Sequence, residues 1–175
     1  MLPGDIILWK GEGFFSGCLG LAIKAFIDPW WDRWAWHVGY IVEVYASGEI
    51  VTSQAIANGI QPVTYDDISF MGNVRIYRWL PNASSHLVKE YASSHYDLPY
   101  DGLVYLWTMP GALSMRYFNH PFRIVNKPKM CWENVSEMTR YMGKELQPEH
   151  EPCLISRIQR ALEKGGQLIY ETPSP

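Results

Sequence analysis

The sequence predicts an α+β fold in which an antiparallel sheet or small barrel packs against helices. Three observations favour this class. The predicted order of elements is one strand, one helix, several antiparallel strands and then a series of helices. Of the 175 residues, 47% are hydrophobic and 14% are aromatic, which is enough for one substantial core. The sequence contains no internal repeat or low-complexity block that would divide it.

The strands are predicted from runs of β-branched and aromatic residues bounded by turn residues. A short apolar run begins after Gly4-Asp5, and residues 46–49 form a tight hairpin turn between two longer runs. The last strand alternates, with Val74 and Ile76 on one face, and its other face is expected to be wet. The predicted strands cover residues 6–9, 37–45, 50–55, 60–63 and 73–79.

The helices are predicted from capping residues and from apolar side chains that recur on one face. One of them follows Ser84 or Ser85 and is expected to turn Leu87, Val88 and Tyr91 inward. The predicted helices cover residues 16–27, 85–96, 130–143 and 154–164.

Two regions are expected along the chain. Residues 1–145 form the main domain, and residues 146–175 add a C-terminal helix and tail packed on it. Gly165-Gly166 and the proline-rich end predict that the tail is frayed.

Charge and hydropathy exclude several classes of function. The net charge is −3 and the sequence has no basic run, so nucleic acid is not an expected partner. The N-terminus has no charged segment followed by an apolar one, so no signal peptide is predicted and the expected location is the cytoplasm or a phage particle. The most apolar stretch, residues 14–27, is too short to span a bilayer and contains Lys24.

The cysteine and histidine spacings argue against metal and cofactor chemistry. Cys18, Cys131 and Cys153 include no CxxC pair, which does not fit a disulfide framework or a structural zinc site. The five histidines show no HxxxH or HExxH spacing. We therefore expect a reducing compartment, no metal and no cofactor.

The candidate nucleophile is Cys131, in the first turn of the helix predicted at 130–143. Val135 and Met138 follow it at helical spacing and share its face, so the thiol is expected to point inward. The free N–H groups and the positive end of the helix both favour a thiolate there. The alternative is a small core residue, which is the commoner role of a cysteine on an apolar face.

The candidate base is His37, at the start of a predicted strand. Thiol catalysis needs an imidazole within hydrogen-bond reach of the sulfur and a third group that holds the ring. The third group should come from the paired strand, because paired residues lie about 5 Å apart. Thr52, Ser53 and Gln54 can fall near His37, and the carbonyl oxygen of Gln54 can accept the imidazole N–H.

Other residues offer weaker alternatives for the same roles. Glu43 and Glu49 carry a charge, but Glu43 lies six residues along the strand and Glu49 lies in the hairpin turn. Cys18 is a rival nucleophile with His95 or His120 as its partner. Its position in an apolar helix is more typical of a core residue.

Residues 30–36 contain four tryptophans. They can form a plug in the core, a wall of a substrate site or a patch that faces a membrane. Burial of ring area is the ordinary role of tryptophan, so the core plug is the default interpretation.

Several motifs, in their order along the chain, resemble the circularly permuted NlpC/P60 group of papain-like thiol hydrolases. That wider group includes the YiiX-like proteins and the lecithin:retinol acyltransferase-like enzymes. In its permuted members the histidine strand precedes the cysteine helix, as it does here, and the resemblance covers residues 3–142. The motifs are GDI at 4–6, HVGY at 37–40, EIVTSQA at 49–55 followed by Gly59-Ile60, LPYDG at 98–102 and CWE at 131–133.

The resemblance implies that Cys131 is the nucleophile, His37 the base and Gln54 the group that orients the ring. Many permuted members have a glutamate at the position of Gln54, and Trp132 stands where the family usually has a small residue. The implied activity is cleavage of an amide bond in cell-wall peptides, with a peptide or acyl compound as substrate. The alternatives are a lipid-directed thioesterase or acyltransferase, with residues 14–27 and the tryptophans facing a membrane, and a non-catalytic binding module that kept the fold.

Overall fold

The computed structural model describes residues 1–11, 34–56, 59–98, 131–147 and 155–173. These residues form the predicted α+β fold, with a six-stranded antiparallel sheet and three α-helices packed against it. The strands are β1 (Ile6–Lys10), β2 (Ala35–Val44), β3 (Ile50–Ile56), β4 (Gly59–Tyr65), β5 (Val74–Arg78) and β6 (Gln167–Glu171). The α-helices are α1 (Ser85–His95), α2 (Cys131–Tyr141) and α3 (Ile155–Gly165), and a 3-10 helix spans Ile68–Met71.

The strand β2 is the main support of the fold. The order across the sheet is β4-β3-β2-β1-β5-β6, so β2 pairs with β1 on one side and with β3 on the other. All three described α-helices contact β2. Strand β2 therefore fixes where the helices lie relative to the sheet.

Each face of the sheet carries its own core, because successive side chains of a strand point to opposite faces. In β1, Leu8 belongs to the first core, which lies under the helices, and Ile7 belongs to the second. The first core also contains Ile6, Val38, Tyr40, Val88, Cys131, Val135, Met138, Ile158 and Leu162. The second core also contains Ile41, Ile50, Met71, Val74 and Ile76.

The ends of the hairpin and of α2 follow the sequence signals. Gly48 has a φ of +97° in the turn between β2 and β3, a backbone conformation that glycine adopts without steric cost. Gly143 has a φ of +82° just after α2. The N–H of Lys144 donates to the carbonyl of Thr139 over 3.1 Å, so α2 ends in a Schellman motif.

The predicted frayed tail is wrong. After Gly166 the chain forms β6, which pairs with β5. Arg75 Nε donates to Glu171 Oε1 over 2.7 Å, and the N–H of Val74 donates to Thr172 Oγ1 over 3.0 Å. The two glycines therefore mark the turn from α3 into the sheet.

Two predictions about exposure are also wrong. The predicted wet face of β5 fails at Tyr77, which is only 5% exposed and belongs to the first core, while Arg75 on the same face is half-buried. Leu87 is 39% exposed, since α1 buries a narrow stripe that consists of Val88, Tyr91 and Ala92. The alternation of a strand cannot tell whether a later helix will cover its second face.

The element boundaries differ slightly from the prediction. Strand β2 begins at Ala35, two residues earlier than expected, and β4 continues to Tyr65. Trp34 and Trp36 are half-buried and pack against the first core, which favours the core interpretation for these two rings. The predictions for Cys18, Cys153, Trp30, Trp31, the helix at 16–27 and residues 99–129 lie outside the described residues.

Candidate active site

His37 and Gln54 meet as the sequence predicts. His37 is the third residue of β2, and Gln54 lies on the paired strand β3, opposite Gly39. The distance from His37 Nε2 to Gln54 Oε1 is 3.1 Å, which is hydrogen-bond distance. Trp9 lies on the other side of β2 in the sheet and its ring centroid is 5.2 Å from that of His37.

The amide of Gln54 forms hydrogen bonds through both its Oε1 and its Nε2. Its Nε2 lies 2.9 Å from Thr52 Oγ1 and 2.9 Å from the hydroxyl of Tyr65. Thr52 Oγ1 in turn donates to the carbonyl of Val63 over 3.1 Å. Gln54 is 5% exposed and Thr52 is fully buried, so these hydrogen bonds have little competition from water.

The glycine of the HVGY motif gives the site its space. A Cβ on Gly39 would lie 3.2 Å from Gln54 Cγ, 3.2 Å from Trp9 Cζ3 and 2.7 Å from the carbonyl oxygen of Ser53. Any side chain there would therefore push against the backbone of β3 and against both neighbours of His37. The requirement for glycine at this position is steric.

Cys131 is the first residue of α2 and points inward, as predicted. It is 1% exposed and belongs to the first core together with Val38 and Val135. Hydrogen bonding from the backbone N–H of Val38 lowers the pKa of the thiol, and α2 packs against β2. Val38 is the residue directly after His37.

The thiol and the ring approach β2 from different faces. The side chain of Val38 faces the first core with Cys131, and the side chain of His37 faces the second core with Trp9. Within the described ranges, the hydrogen bond of the His37 ring goes to Gln54, and none joins the ring to Cys131. The structure therefore brings His37 and Gln54 together and leaves the sulfur on the other face of β2.

The predicted thiolate is wrong for this conformation. Burial raises the pKa of Cys131 to about 12. Hydrogen bonding from the backbone N–H groups of Val38, Trp132 and Cys131 itself lowers this pKa, but by less than burial raises it. The favourable field of the helix N-terminus is therefore outweighed by the loss of water around the sulfur.

The ring of His37 is uncharged at neutral pH. Burial lowers its pKa to about 4, and the hydrogen bond to Gln54 opposes this shift to a smaller extent. A neutral imidazole carries one N–H and one nitrogen lone pair, so it can act as a base.

The alternative residues that the structure describes are engaged elsewhere. Glu43 accepts a hydrogen bond from the Tyr45 hydroxyl over 3.0 Å and pairs with Lys89, whose hydrogen bond lowers the pKa of the Glu43 carboxyl. His95 stacks on Tyr91 within α1, with ring centroids 4.0 Å apart. Neither side chain is a partner of His37 or Cys131.

Two neighbours of the site were not expected from the sequence. Trp9 lies against the His37 ring, and the Tyr65 hydroxyl accepts from the Gln54 amide. The register of β1 on β2 would have identified Trp9, because it pairs directly with His37. Tyr65 is too far along β4 for a register argument, and only the reach of its ring brings it to the amide.

The described ranges contain no group of three or more histidine, cysteine, aspartate or glutamate side chains that could hold a metal ion. Their helices include none that has the length and apolar character needed to cross a bilayer. No protein-family model matches the chain, and no curated protein sequence matches it.

Proposed function

We propose that the protein is a cysteine hydrolase that cleaves an amide bond in cell-wall peptides, with Cys131 as nucleophile and His37 as base. The family is that of the permuted NlpC/P60 enzymes, which the sequence resembles. A location in the cytoplasm or in a phage particle is part of the same proposal.

The single observation that carries the proposal is the hydrogen bond that orients the ring of His37. The distance from His37 Nε2 to Gln54 Oε1 is 3.1 Å, and Cys131 packs in the first core with Val38, the residue that follows this histidine. A nucleophile, a base and a group that orients the base are the parts that thiol catalysis requires.

The proposed mechanism starts from a neutral thiol and a neutral imidazole. The pKa of Cys131 is about 12 and that of His37 is about 4, so both groups are neutral at rest. The imidazole takes the thiol proton as Sγ attacks the carbonyl carbon, and it then gives that proton to the leaving amine. Water hydrolyses the thioester, and the backbone N–H of Cys131 stabilises the oxyanion.

The burial of Cys131 makes the described conformation a resting form. A carbonyl group reaches a sulfur that is 1% exposed only after the side chains around it have moved. The His37 ring and the sulfur lie on different faces of β2, so catalysis also requires a rearrangement at the start of this strand that brings them to the same side. Binding of the peptide would supply the free energy for both movements.

The second candidate is a non-catalytic binding module. The specific observation in its favour is the state of the thiol, which is buried, protonated and not hydrogen-bonded to the ring of His37. In that case the fold would bind wall peptides without cleaving them. The two candidates differ in whether binding depends on the sulfur.

The test is turnover of cell-wall peptide fragments, with phospholipids and short-chain esters in parallel, by the wild-type protein and its variants. We expect Cys131→Ala and His37→Ala each to lower amide turnover roughly 10³-fold or more, because each removes a reacting group. Cys18→Ala and Cys153→Ala are the matched controls, and both should retain wild-type turnover.

The outcomes separate the candidates. Full turnover by Cys131→Ala would overturn the assignment of the nucleophile. Ester or phospholipid cleavage without amide cleavage would replace the substrate class by a lipid-directed one. Binding of the peptide by wild type and Cys131→Ala alike, with no turnover by either, would favour the binding module.

A further inference from the structure

The amide of Gln54 takes part in three hydrogen bonds that together define its orientation. One side faces His37 Nε2 at 3.1 Å, and the other faces Thr52 Oγ1 and the Tyr65 hydroxyl, each at 2.9 Å. An amide has a carbonyl oxygen that only accepts and an NH₂ group that only donates. Its orientation therefore decides what the histidine must do.

Thr52 determines which side of the amide carries the NH₂ group. The carbonyl oxygen of Val63 can only accept, so the single hydroxyl proton of Thr52 is used in the 3.1 Å hydrogen bond to it. Thr52 Oγ1 can then only accept from Gln54. The Gln54 NH₂ group must point to Thr52, and its second proton is directed at Tyr65.

The same reasoning sets the position of the proton on His37. With the NH₂ group on the Thr52 side, Gln54 presents Oε1 to the ring. Because Oε1 only accepts, His37 Nε2 must carry the proton. The lone pair is then on Nδ1, the ring nitrogen nearer to the main chain.

We propose that Thr52 and Tyr65 are positioning residues that hold His37 in the tautomer with Nε2 protonated and Nδ1 free to accept a proton. They act through the Gln54 amide and do not touch the reacting atoms. The catalytic meaning of this tautomer rests on the proposed function, but the tautomer itself does not.

The test is long-range ¹H–¹⁵N correlation spectroscopy of protein labelled with ¹⁵N-histidine at pH 7. It reports which nitrogen of each imidazole is protonated, and loss of a signal in His37→Gln assigns His37. We expect the wild-type ring to be protonated at Nε2. Thr52→Val and Tyr65→Phe should each raise the ratio of the Nδ1–H to the Nε2–H form about fivefold, since each removes one neutral hydrogen bond that opposes rotation of the amide.

The control is Thr64→Val, which makes the same change at an exposed position of β4 and should leave the tautomer unchanged. An Nδ1–H tautomer in the wild type, measured without any variant, would overturn the proposal. An unchanged ratio in both Thr52→Val and Tyr65→Phe would also overturn it.

Failure of this proposal can be told from failure of the proposed function. A tautomer that responds to both substitutions in a protein without turnover would support the positioning role and contradict the hydrolase. Turnover by a protein whose His37 tautomer responds to neither substitution would support the hydrolase and contradict the positioning role. If both hold, Thr52→Val should lower kcat at constant KM, because substrate contacts are unchanged and less of the ring is in the reactive form.

Discussion

Gln54 keeps the geometry of an acidic orienting group but lacks its charge. Its carbonyl oxygen is 3.1 Å from His37 Nε2, as a carboxylate oxygen would be. A neutral oxygen fixes the ring but stabilises an imidazolium less than a carboxylate does. This difference is consistent with the low pKa of His37, about 4, in which burial dominates over the hydrogen bond that the ring donates to Gln54.

Gln54→Glu should therefore raise the pKa of His37. A carboxylate beside the ring favours the charged imidazolium and opposes the effect of burial. The measurement is an NMR titration of the His37 ring in both proteins. We expect the midpoint to move upward from about 4 by one unit or more, the size that is ordinary for an opposite charge in contact.

Ser47→Glu is the control, because it adds the same charge in the exposed turn between β2 and β3. It should leave the titration of His37 where it is in the wild type. An equal or lower midpoint in Gln54→Glu would show that the side chain at this position does not govern the charge of the ring.

At the scale of elements, local patterns predicted those segments whose partners are close in sequence. The hairpin of β2 and β3 could be predicted because its turn and both strands are contiguous, and this hairpin is what brings Gln54 to His37. The helix α2 could be predicted from its apolar stripe and from Gly143. The inward direction of Cys131 follows from the same stripe.

The features that the sequence did not predict depend on distant contacts. Strand β6 is short and follows two glycines, and it becomes a strand because β5 offers an edge far away in sequence. The pKa of Cys131 is another case, since the helix position is local but the burial that outweighs it comes from the packing of α2 on β2. A local pattern contains no information on either.

Strand β6 should contribute measurably to stability. A chain that ends at Gly166 would lose the pairing with β5, the hydrogen bond between Arg75 and Glu171, and the contact of Ile169 with the second core. We expect the free energy of unfolding in urea to fall by roughly 3 kcal/mol or more, from several hydrogen bonds and apolar burial. A chain that ends at Pro173 is the control and should unfold like the wild type. Equal stability of both truncated chains would support the frayed tail instead.

At the scale of the whole molecule, the first residues of β2 contact both cores, one on each face of the sheet. Cys131 approaches Val38 from the core under the helices, and Trp9 and Gln54 surround His37 on the other face. Cys131 is fully buried and His37 is half-buried, and burial shifts the pKa of each group towards its neutral form. Charging either group would therefore oppose the packing of the fold itself.

Protonation of His37 should destabilise the whole protein. The folded pKa of about 4 is below the ordinary value of 6.5, so the unfolded chain takes up the proton first as the pH falls. The contribution to stability is fully present above pH 6.5 and is lost as the pH falls towards 4. Its upper limit is about 3 kcal/mol, because one pKa unit corresponds to about 1.4 kcal/mol.

The measurement is urea unfolding at several pH values between 7 and 4 for the wild type and for His37→Gln. This variant cannot titrate at position 37, and its other ionisable groups are unchanged. The difference in unfolding free energy between the two proteins should shrink steadily as the pH falls through this window. A difference that stays constant would mean that His37 is protonated as easily in the folded protein as in the unfolded chain.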